Sequence, residues 1–324
     1  MIRRRHSAPA HRPARAIDLA QAIRDYDDNL AVSGRAAKTR QVYALALGLY
    51  SDFLERQGIT RATLDHLTVE HARRFILDLQ RSISYTPLTD TTRRRSMTTI
   101  KLYVRILKTF ATYAHRQGWT KHPQLTLLDI PKARQKVVHP FSADELRALL
   151  DAAQEAAFPS RNRALILLGI STGLRAEEIA SLTIGQLDFT SMHIRVVGKG
   201  NKERVVQFDP TAAAAVQVYL NKRVSGPLFL GRNYQPLTSL GIYALIRRLG
   251  QAACIEHAHP HRMRHTFALN YLLAHPGAIE HLRLLMGHSG INQTHRYIEL
   301  AAAYTHLEGR SVLDMLEVPA AAAI

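Results

Sequence analysis

The sequence is short of sulfur, of acid and of long apolar stretches, and each shortage excludes something. Its 324 residues include one cysteine, Cys254. A single thiol builds no internal disulfide framework and no cysteine-based zinc cage, and it fits a reducing compartment. No run of about 18 apolar residues occurs, so nothing in the sequence is expected to span a bilayer. Acids are scarce beside bases: 26 Asp and Glu stand against 43 Lys and Arg, for a net charge of +17. Such an excess says little about fold and much about partners. Nucleic acid is the first polyanion to consider, with a membrane surface as the alternative. No internal repeat is apparent, and only the alanine-rich tail is low in complexity.

What is present is ordinary globular material. Hydrophobic residues make up 46% of the chain, enough to bury a core. At roughly 150 residues per domain, the length predicts two domains. Residues 1–16 are rich in arginine and free of acid, without the apolar stretch of a secretory signal. They read as a basic flexible arm that meets phosphates, with an organellar transit peptide or a plain disordered end as the other readings.

Residues 17–120 read as a helical bundle. Val42, Leu45, Leu49 and Phe53 recur at helical spacing, and Gly34 and Gly58 stand where helices stop. A third helix is expected from Val69 to Gln80, then a polar loop through Pro87, then a long helix from about Thr92 to Gln117. Two faces of this bundle are basic: Arg35, Lys38 and Arg40 open the second helix, and Arg93, Arg94, Arg95 and Lys101 accompany the fourth, with Arg105 and Lys108 beyond. They are candidate phosphate contacts, against the alternative of a solvated charged face.

Residues 121–139, with Pro123, Pro131 and alternating Lys132, Arg134 and Lys136, read as an extended linker. Ser142 followed by Glu145 is a capping box, and a second domain is expected over 140–318. Its Leu165–Leu168 run is too apolar for a surface helix. Arg175 opens a following helix, the wrong end for a cation unless an anion sits between the helix and the guanidinium. Two β-rich runs flank Gly-Lys-Gly-Asn-Lys and read as a hairpin with Lys199 and Lys202 at its mouth. Helices are expected near His261–Ala274, Ile279–Met286 and Asn292–Leu300, with a last one near Thr305–Leu316. The fold class is therefore mainly α with a small β-hairpin or sheet.

His261, Arg264 and His265 share a helix face at three- and four-residue spacing. His261 and His265 have the spacing of a helical zinc pair, but no glutamate follows the first histidine and Arg264 repels a cation. Histidines that only pack or cap are the bland alternative. A phosphate is the reading that uses all three side chains, since Arg264 can fork onto two oxygens. Leu285-Met286-Gly287-His288 and Tyr297 complete a set of cations, imidazoles and one phenol.

Arg175, Lys199, His261, Arg264, His288 and Tyr297 together resemble the catalytic set of the tyrosine recombinases, the phage-integrase family. The local words agree: Thr-Gly-Leu-Arg with Glu178, Gly-Lys-Gly-Asn-Lys-Glu-Arg, His-Arg-Met-Arg-His-Thr-Phe-Ala, and Gly-His-Ser with a tyrosine nine residues on. The likeness covers about Pro140 to Leu300, while the N-terminal bundle resembles the family's core-binding domain only in kind. Methionine before Arg264, where leucine is usual, and Gly290-Ile291-Asn292 after Gly-His-Ser are mild departures.

The resemblance implies a site-specific enzyme that cuts and rejoins duplex DNA. Tyr297 would attack the scissile phosphorus and form a 3′-phosphotyrosine link. Arg175 and Arg264 would neutralise the phosphorane, and Lys199 would protonate the leaving 5′ oxygen. His261 would help take the tyrosine proton, His288 would hydrogen-bond a non-bridging oxygen, and Glu178 would orient a cation. No metal or other cofactor is implied. The family plan implies that the two domains clamp DNA as a C and that four protomers act on two duplexes, the C-terminal segment reaching a neighbour through Val312, Leu313 and Leu316. A plan without a third, arm-binding domain leans toward simple integrases or Xer-like resolvases, working in the cytoplasm at the nucleoid. The rival readings are supercoil relaxation by the same chemistry, as type IB topoisomerases do, and a DNA-binding regulator with an idle site.

Overall fold

A computed structural model describes residues 17–86, 91–120, 125–131, 140–198, 203–288, 290 and 292–304. The N-terminal arm, most of the linker, Lys199, Lys202 and the expected last helix with Val312, Leu313 and Leu316 lie outside the described residues. The chain divides into two compact units, Met1–Lys136 and Val137–Ile324.

The first unit is built on helices α1 (Leu19–Val32), α2 (Ala37–Arg56), α3 (Val69–Arg81) and α4 (Met97–Arg116). Short polar side chains start three of them. Asp18, Thr68 and Ser96 accept from the backbone N–H groups of Gln21, His71 and Thr99 at 2.8, 3.2 and 3.2 Å. Each supplies one of the orphan donors of a first turn with an acceptor. Gly34 and Gly58, at φ +72° and +85°, turn the chain out of the first two helices as expected. Tyr50, Phe53, Phe75 and Phe110 fill the core.

Phe53 is buried and Val42 and Leu49 pack against the core as expected, but the fully buried stripe of α2 is shifted. It is Ala46, Leu47, Tyr50, Phe53 and Leu54, whereas Leu45 is 53% exposed. The stripe is carried by Tyr50, which a count of aliphatic residues leaves out. Its phenol can be buried because its hydroxyl donates to the His66 carbonyl at 2.8 Å.

The stretch before α4 also differs. In place of a loop running into a helix from Thr92, strands β1 (Ile83–Thr86) and β2 (Thr91–Arg94) pair antiparallel, Ile83 opposite Arg94. Arg93 and Arg94 thus lie on a strand rather than at a helix start. Ile, Tyr and Thr favour a pleated surface, and the polar composition around Pro87 concealed that preference.

The second unit surrounds α6 (Pro159–Thr172), buried on nearly every side. It packs against α5 (Ala143–Glu155), α8 (Pro210–Leu220) and α10 (Pro260–Ala274). The approach to α10 is close: a side-chain Cβ at Gly169 would lie 2.8 Å from the Met263 methyl. The capping box of α5 forms as expected, with Glu145 N–H donating to Ser142 at 3.1 Å and Ser142 N–H to Glu145 at 2.9 Å. Helix α7 (Ala176–Ser181) follows α6.

Strands β3 (Leu187–Asp188), β4 (His193–Val197) and β5 (Glu203–Gln207) form an antiparallel sheet in that order. The hairpin was expected; β3, two residues long, was not. After α9 (Ser239–Ala252), helices α10, α11 (Ile279–Met286) and α12 (Asn292–Tyr304) enclose a second apolar cluster of Ala268, Leu269, Leu272, Leu282, Met286 and Tyr297.

Candidate active site

Helix α10 presents two different faces. Met263, Ala268 and Leu269 go inward, and His261, Arg264 and His265 share another side. The start of the helix is pinned by Arg262, whose guanidinium meets Glu145 at 2.6 Å and the Pro140 carbonyl at 3.1 Å and lies 4.1 Å over the Phe141 ring. The Thr266 hydroxyl accepts from the Phe141 N–H at 2.8 Å. A chain entry 117–125 residues upstream in sequence thereby fixes the rotation of the helix that carries Arg264.

Arg264 is 4% exposed. Its Nη1 donates to the Gly173 carbonyl at 2.7 Å and its Nη2 to the Met286 carbonyl at 2.6 Å. Gly173 ends α6 at φ +61°, where a Cβ would come within 2.3 Å of Phe267, so only glycine aims that carbonyl here. Burial, and then the charge of Arg175, pull the Arg264 guanidinium down to about 10. It remains a cation at neutral pH, yet a second charge close by is costly to it unless an anion arrives.

Arg175 caps the N-terminus of α7. The anion expected there is the chain's own. Glu178, 6% exposed, accepts the Arg175 backbone N–H at 2.8 Å and its Nη1 at 3.1 Å. Arg204 closes the other side with two bonds to the same carboxylate, each 2.9 Å. Burial pushes the Glu178 carboxyl up, but the hydrogen bonds and charges of Arg204 and Arg175 outweigh it, and the net shift is downward. The strand alternation of β5 puts Arg204 on the same inward side as Val206.

The carbonyls at the end of α11 gather these arginines. Gly287, at φ +60°, closes the helix as its N–H and that of His288 return to Leu284 and Arg283 at 3.0 and 3.1 Å. The next partners arrive one per residue. Arg204 Nε donates to the Leu285 carbonyl at 2.8 Å, Arg264 to Met286, Arg175 to Gly287 at 3.0 Å, and Arg283 to His288 at 2.9 Å. The Leu285 and Met286 carbonyls are ones a helix end leaves unpaired, at the negative pole of its dipole, and those of Gly287 and His288 continue the row just beyond it.

The imidazoles divide. His288 is buried, and its Nδ1 pairs with the Thr294 hydroxyl at 2.8 Å. His261 opens to solvent and packs edge-on to Tyr243, 6.0 Å between ring centroids. Partial desolvation, then Arg264, lower its pKa below the ordinary histidine value. Tyr297, on α12, is 2% exposed, and its hydroxyl lies 2.7 Å from Nδ1 of His265.

The structure thus brings Arg175 and Arg264 together at the Met286–Gly287 carbonyls, with Glu178 beside them and Tyr297 bonded to α10. It adds Arg204 and His265, which sequence reasoning left out of the catalytic set. Arg204 stands in the Gly-Lys-Gly-Asn-Lys-Glu-Arg word, and His265 stands in the phosphate-binding cluster of α10 without a role in the catalytic set. In the first unit Arg35, Lys38 and Arg94 are exposed, while Lys101 is half-buried. Arg40 is bound to Asp27, with Nε–Oδ1 at 2.9 Å and a second contact from Nη2 to Oδ2, and Arg95 donates to Ser82 at 2.8 Å.

Residues 140–303 match the phage integrase family. The chain is 32% identical over 216 residues to the tyrosine recombinase XerC of Azotobacter vinelandii, covering 63% of this chain and 72% of that protein. It is 34% identical over 194 residues to XerC of Pseudomonas aeruginosa, covering 58% of this chain and 64% of the relative, a little under two thirds of its length. Among solved structures, the fold is similar to that of the Tn1549 transposon integrase in complex with transposon right end DNA. There the TM-score is 0.69 at 19% identity, covering 90% of this chain and 99% of that one. It is also similar to a lambda integrase dimer bound to a COC′ core site, with a TM-score of 0.65 at 17% identity over 86% of this chain and 97% of that one.

Proposed function

The chain belongs to the phage integrase family of tyrosine recombinases, and from that premise we propose that Tyr297 cuts duplex DNA at a specific site and holds the broken strand as a 3′-phosphotyrosine. The observation that carries this reading is the convergence of Arg175 and Arg264 on adjacent carbonyls, Gly287 and Met286. Two guanidiniums held this close repel each other. A phosphodiester between them relieves that repulsion, and a pentacoordinate phosphorane, with more negative charge, relieves it further. Stabilisation that grows toward the transition state is what accelerates a reaction.

In this reading each remaining side chain has a task. Glu178 and Arg204 fix the Arg175 guanidinium. His288, steadied by Thr294, and His261 address the phosphate oxygens and the proton traffic around them. Lys199 protonates the leaving 5′ oxygen. Because the phosphodiester energy is stored in the tyrosyl link, the strands rejoin without a nucleotide cofactor. We place double-stranded DNA as the partner, taken up through the exposed cations of the first unit, and four copies of the chain on two synapsed duplexes in the cytoplasm. Among the described residues no helix is long and apolar enough to cross a membrane.

The test uses a nicked suicide duplex that carries the cognate site and releases a short fragment after cleavage. The unaltered chain is expected to form a denaturation-resistant DNA adduct, and Tyr297→Phe none, while both shift the duplex in a gel. Absence of an adduct from the unaltered chain would favour the DNA-binding regulator instead.

A further inference from the structure

A tyrosine hydroxyl has an ordinary pKa of about 10, so as a nucleophile at neutral pH it needs somewhere to put its proton. A base must lie within about 2.6–3.2 Å of that proton's oxygen. Here an imidazole lies at that distance: His265, with Nδ1 at 2.7 Å from the Tyr297 hydroxyl. The two rings stand 5.7 Å apart between centroids. His261 sits one turn earlier on the same helix, its ring 6.5 Å from that of His265.

The pair is held from both sides. Tyr297 is 2% exposed and packs among Leu269, Leu272, Leu282 and Met286. His265 follows Arg264 directly, on the helix that Arg262 and Thr266 lock in rotation. An arginine for the phosphate and an imidazole for the phenol are thus delivered by adjacent residues of one rigid element.

We propose that His265 is a further catalytic residue, the acceptor of the Tyr297 phenol proton during strand cleavage. The inference rests on Tyr297 being the nucleophile. In the tautomer protonated on Nε2, Nδ1 accepts the O–H hydrogen bond, and the proton crosses to it as the phenolate oxygen bonds to phosphorus. The P–O5′ bond breaks, and the 5′ oxygen takes its proton from the general acid, the role given to Lys199. On rejoining, the 5′ hydroxyl attacks phosphorus and returns a proton to that acid. The departing phenolate recovers its proton from the His265 imidazolium. No further reactant is needed.

The experiment compares the nicked suicide duplex with the same duplex carrying sulfur in place of the bridging 5′ oxygen at the scissile phosphate. A thiolate leaves without protonation, so a defect on the leaving-group side is rescued by sulfur and one on the nucleophile side is not. His265→Gln retains a hydrogen-bonding amide beside the phenol but cannot accept its proton. His265→Asn, with a shorter reach, is the second variant, and melting temperature and gel shift are followed for both. Adduct formation by His265→Gln is expected to slow about a hundredfold or more on the oxygen substrate. It should stay equally slow on sulfur, with DNA binding unchanged and Lys199→Ala rescued alongside. A rate within threefold of the unaltered chain, or rescue by sulfur, overturns the inference and makes His265 only a prop for Tyr297. No adduct from the unaltered chain on either substrate would instead remove Tyr297 as nucleophile, and this inference with it.

Discussion

The basic residues of the two units are used in opposite ways. In the first unit Arg35, in the connection before α2, and Lys38, Arg94 and Arg105, on helix and strand surfaces, stand exposed. In the second, Arg161, Arg262 and Arg264 are 6%, 7% and 4% exposed, and each donates to backbone carbonyls. Exposed cations on long side chains are mobile, screened by salt and nearly interchangeable. Buried guanidiniums held by backbone carbonyls are neither mobile nor interchangeable. Positive charge therefore stands on the surface at those positions of the first unit and fixes geometry at these positions of the second.

That contrast is open to attack at several points. The largest effect is expected from Arg204→Gln, which leaves Glu178 buried with one of its two cationic partners removed. Losing one side of a buried pair costs about 3–5 kcal/mol, so the thermal midpoint of the second unit should fall by many degrees; a change within the error of calorimetry would show that the pair is not integral to it. Next comes Arg264→Lys, which keeps a charge but cannot reach the Gly173 and Met286 carbonyls together. Adduct formation is expected to drop by about 10²–10³, while a gel shift moves little. Equal losses in both assays would make Arg264 an ordinary DNA contact.

Acid offers a third test. The Glu178 carboxyl lies below its ordinary value in the folded chain. Its contribution to stability is therefore present above the ordinary glutamate pKa and is lost as pH falls through the lowered value. The second unit should lose stability across that acid window, and a variant with Arg204 replaced should lose less there. The smallest effect is reserved for Arg35→Ala combined with Lys38→Ala. If both meet phosphates, the slope of log affinity against log salt should shrink by about 1.8, at roughly 0.9 per contact, with cleavage at saturating DNA unchanged. A loss of the saturated rate would place those side chains nearer the chemistry than their exposure implies.

Much of the second unit could be read in advance because its signals are local. Ser142 and Glu145 announce a helix start three residues apart, and Thr-Gly-Leu-Arg and Leu-Met-Gly-His mark helix ends where glycine is needed. The first unit was less open. The hydroxyl-rich Thr91–Arg94 stretch carries no apolar alternation, so its pairing with Ile83–Thr86 stayed hidden. Tyr50 shifted the buried stripe of α2 because a phenol counts as core only when its hydroxyl finds an acceptor, here the His66 carbonyl. Arg204 and His265 were visible as residues but not as participants. Their partners, Glu178 and Tyr297, are 26 and 32 positions away, and no short-range pattern encodes such meetings.

The residues Leu285 to His288 act as a row of hooks for Arg204, Arg264, Arg175 and Arg283. A row hung this way tolerates no change of count. Adding or deleting a single residue between Met286 and His288 would leave Arg204 and Arg264 on their carbonyls and move those of Arg175 and Arg283 out of step, separating the two arginines that now meet side by side. The length of that bend is thus as restricted as the identity of any arginine that hangs from it.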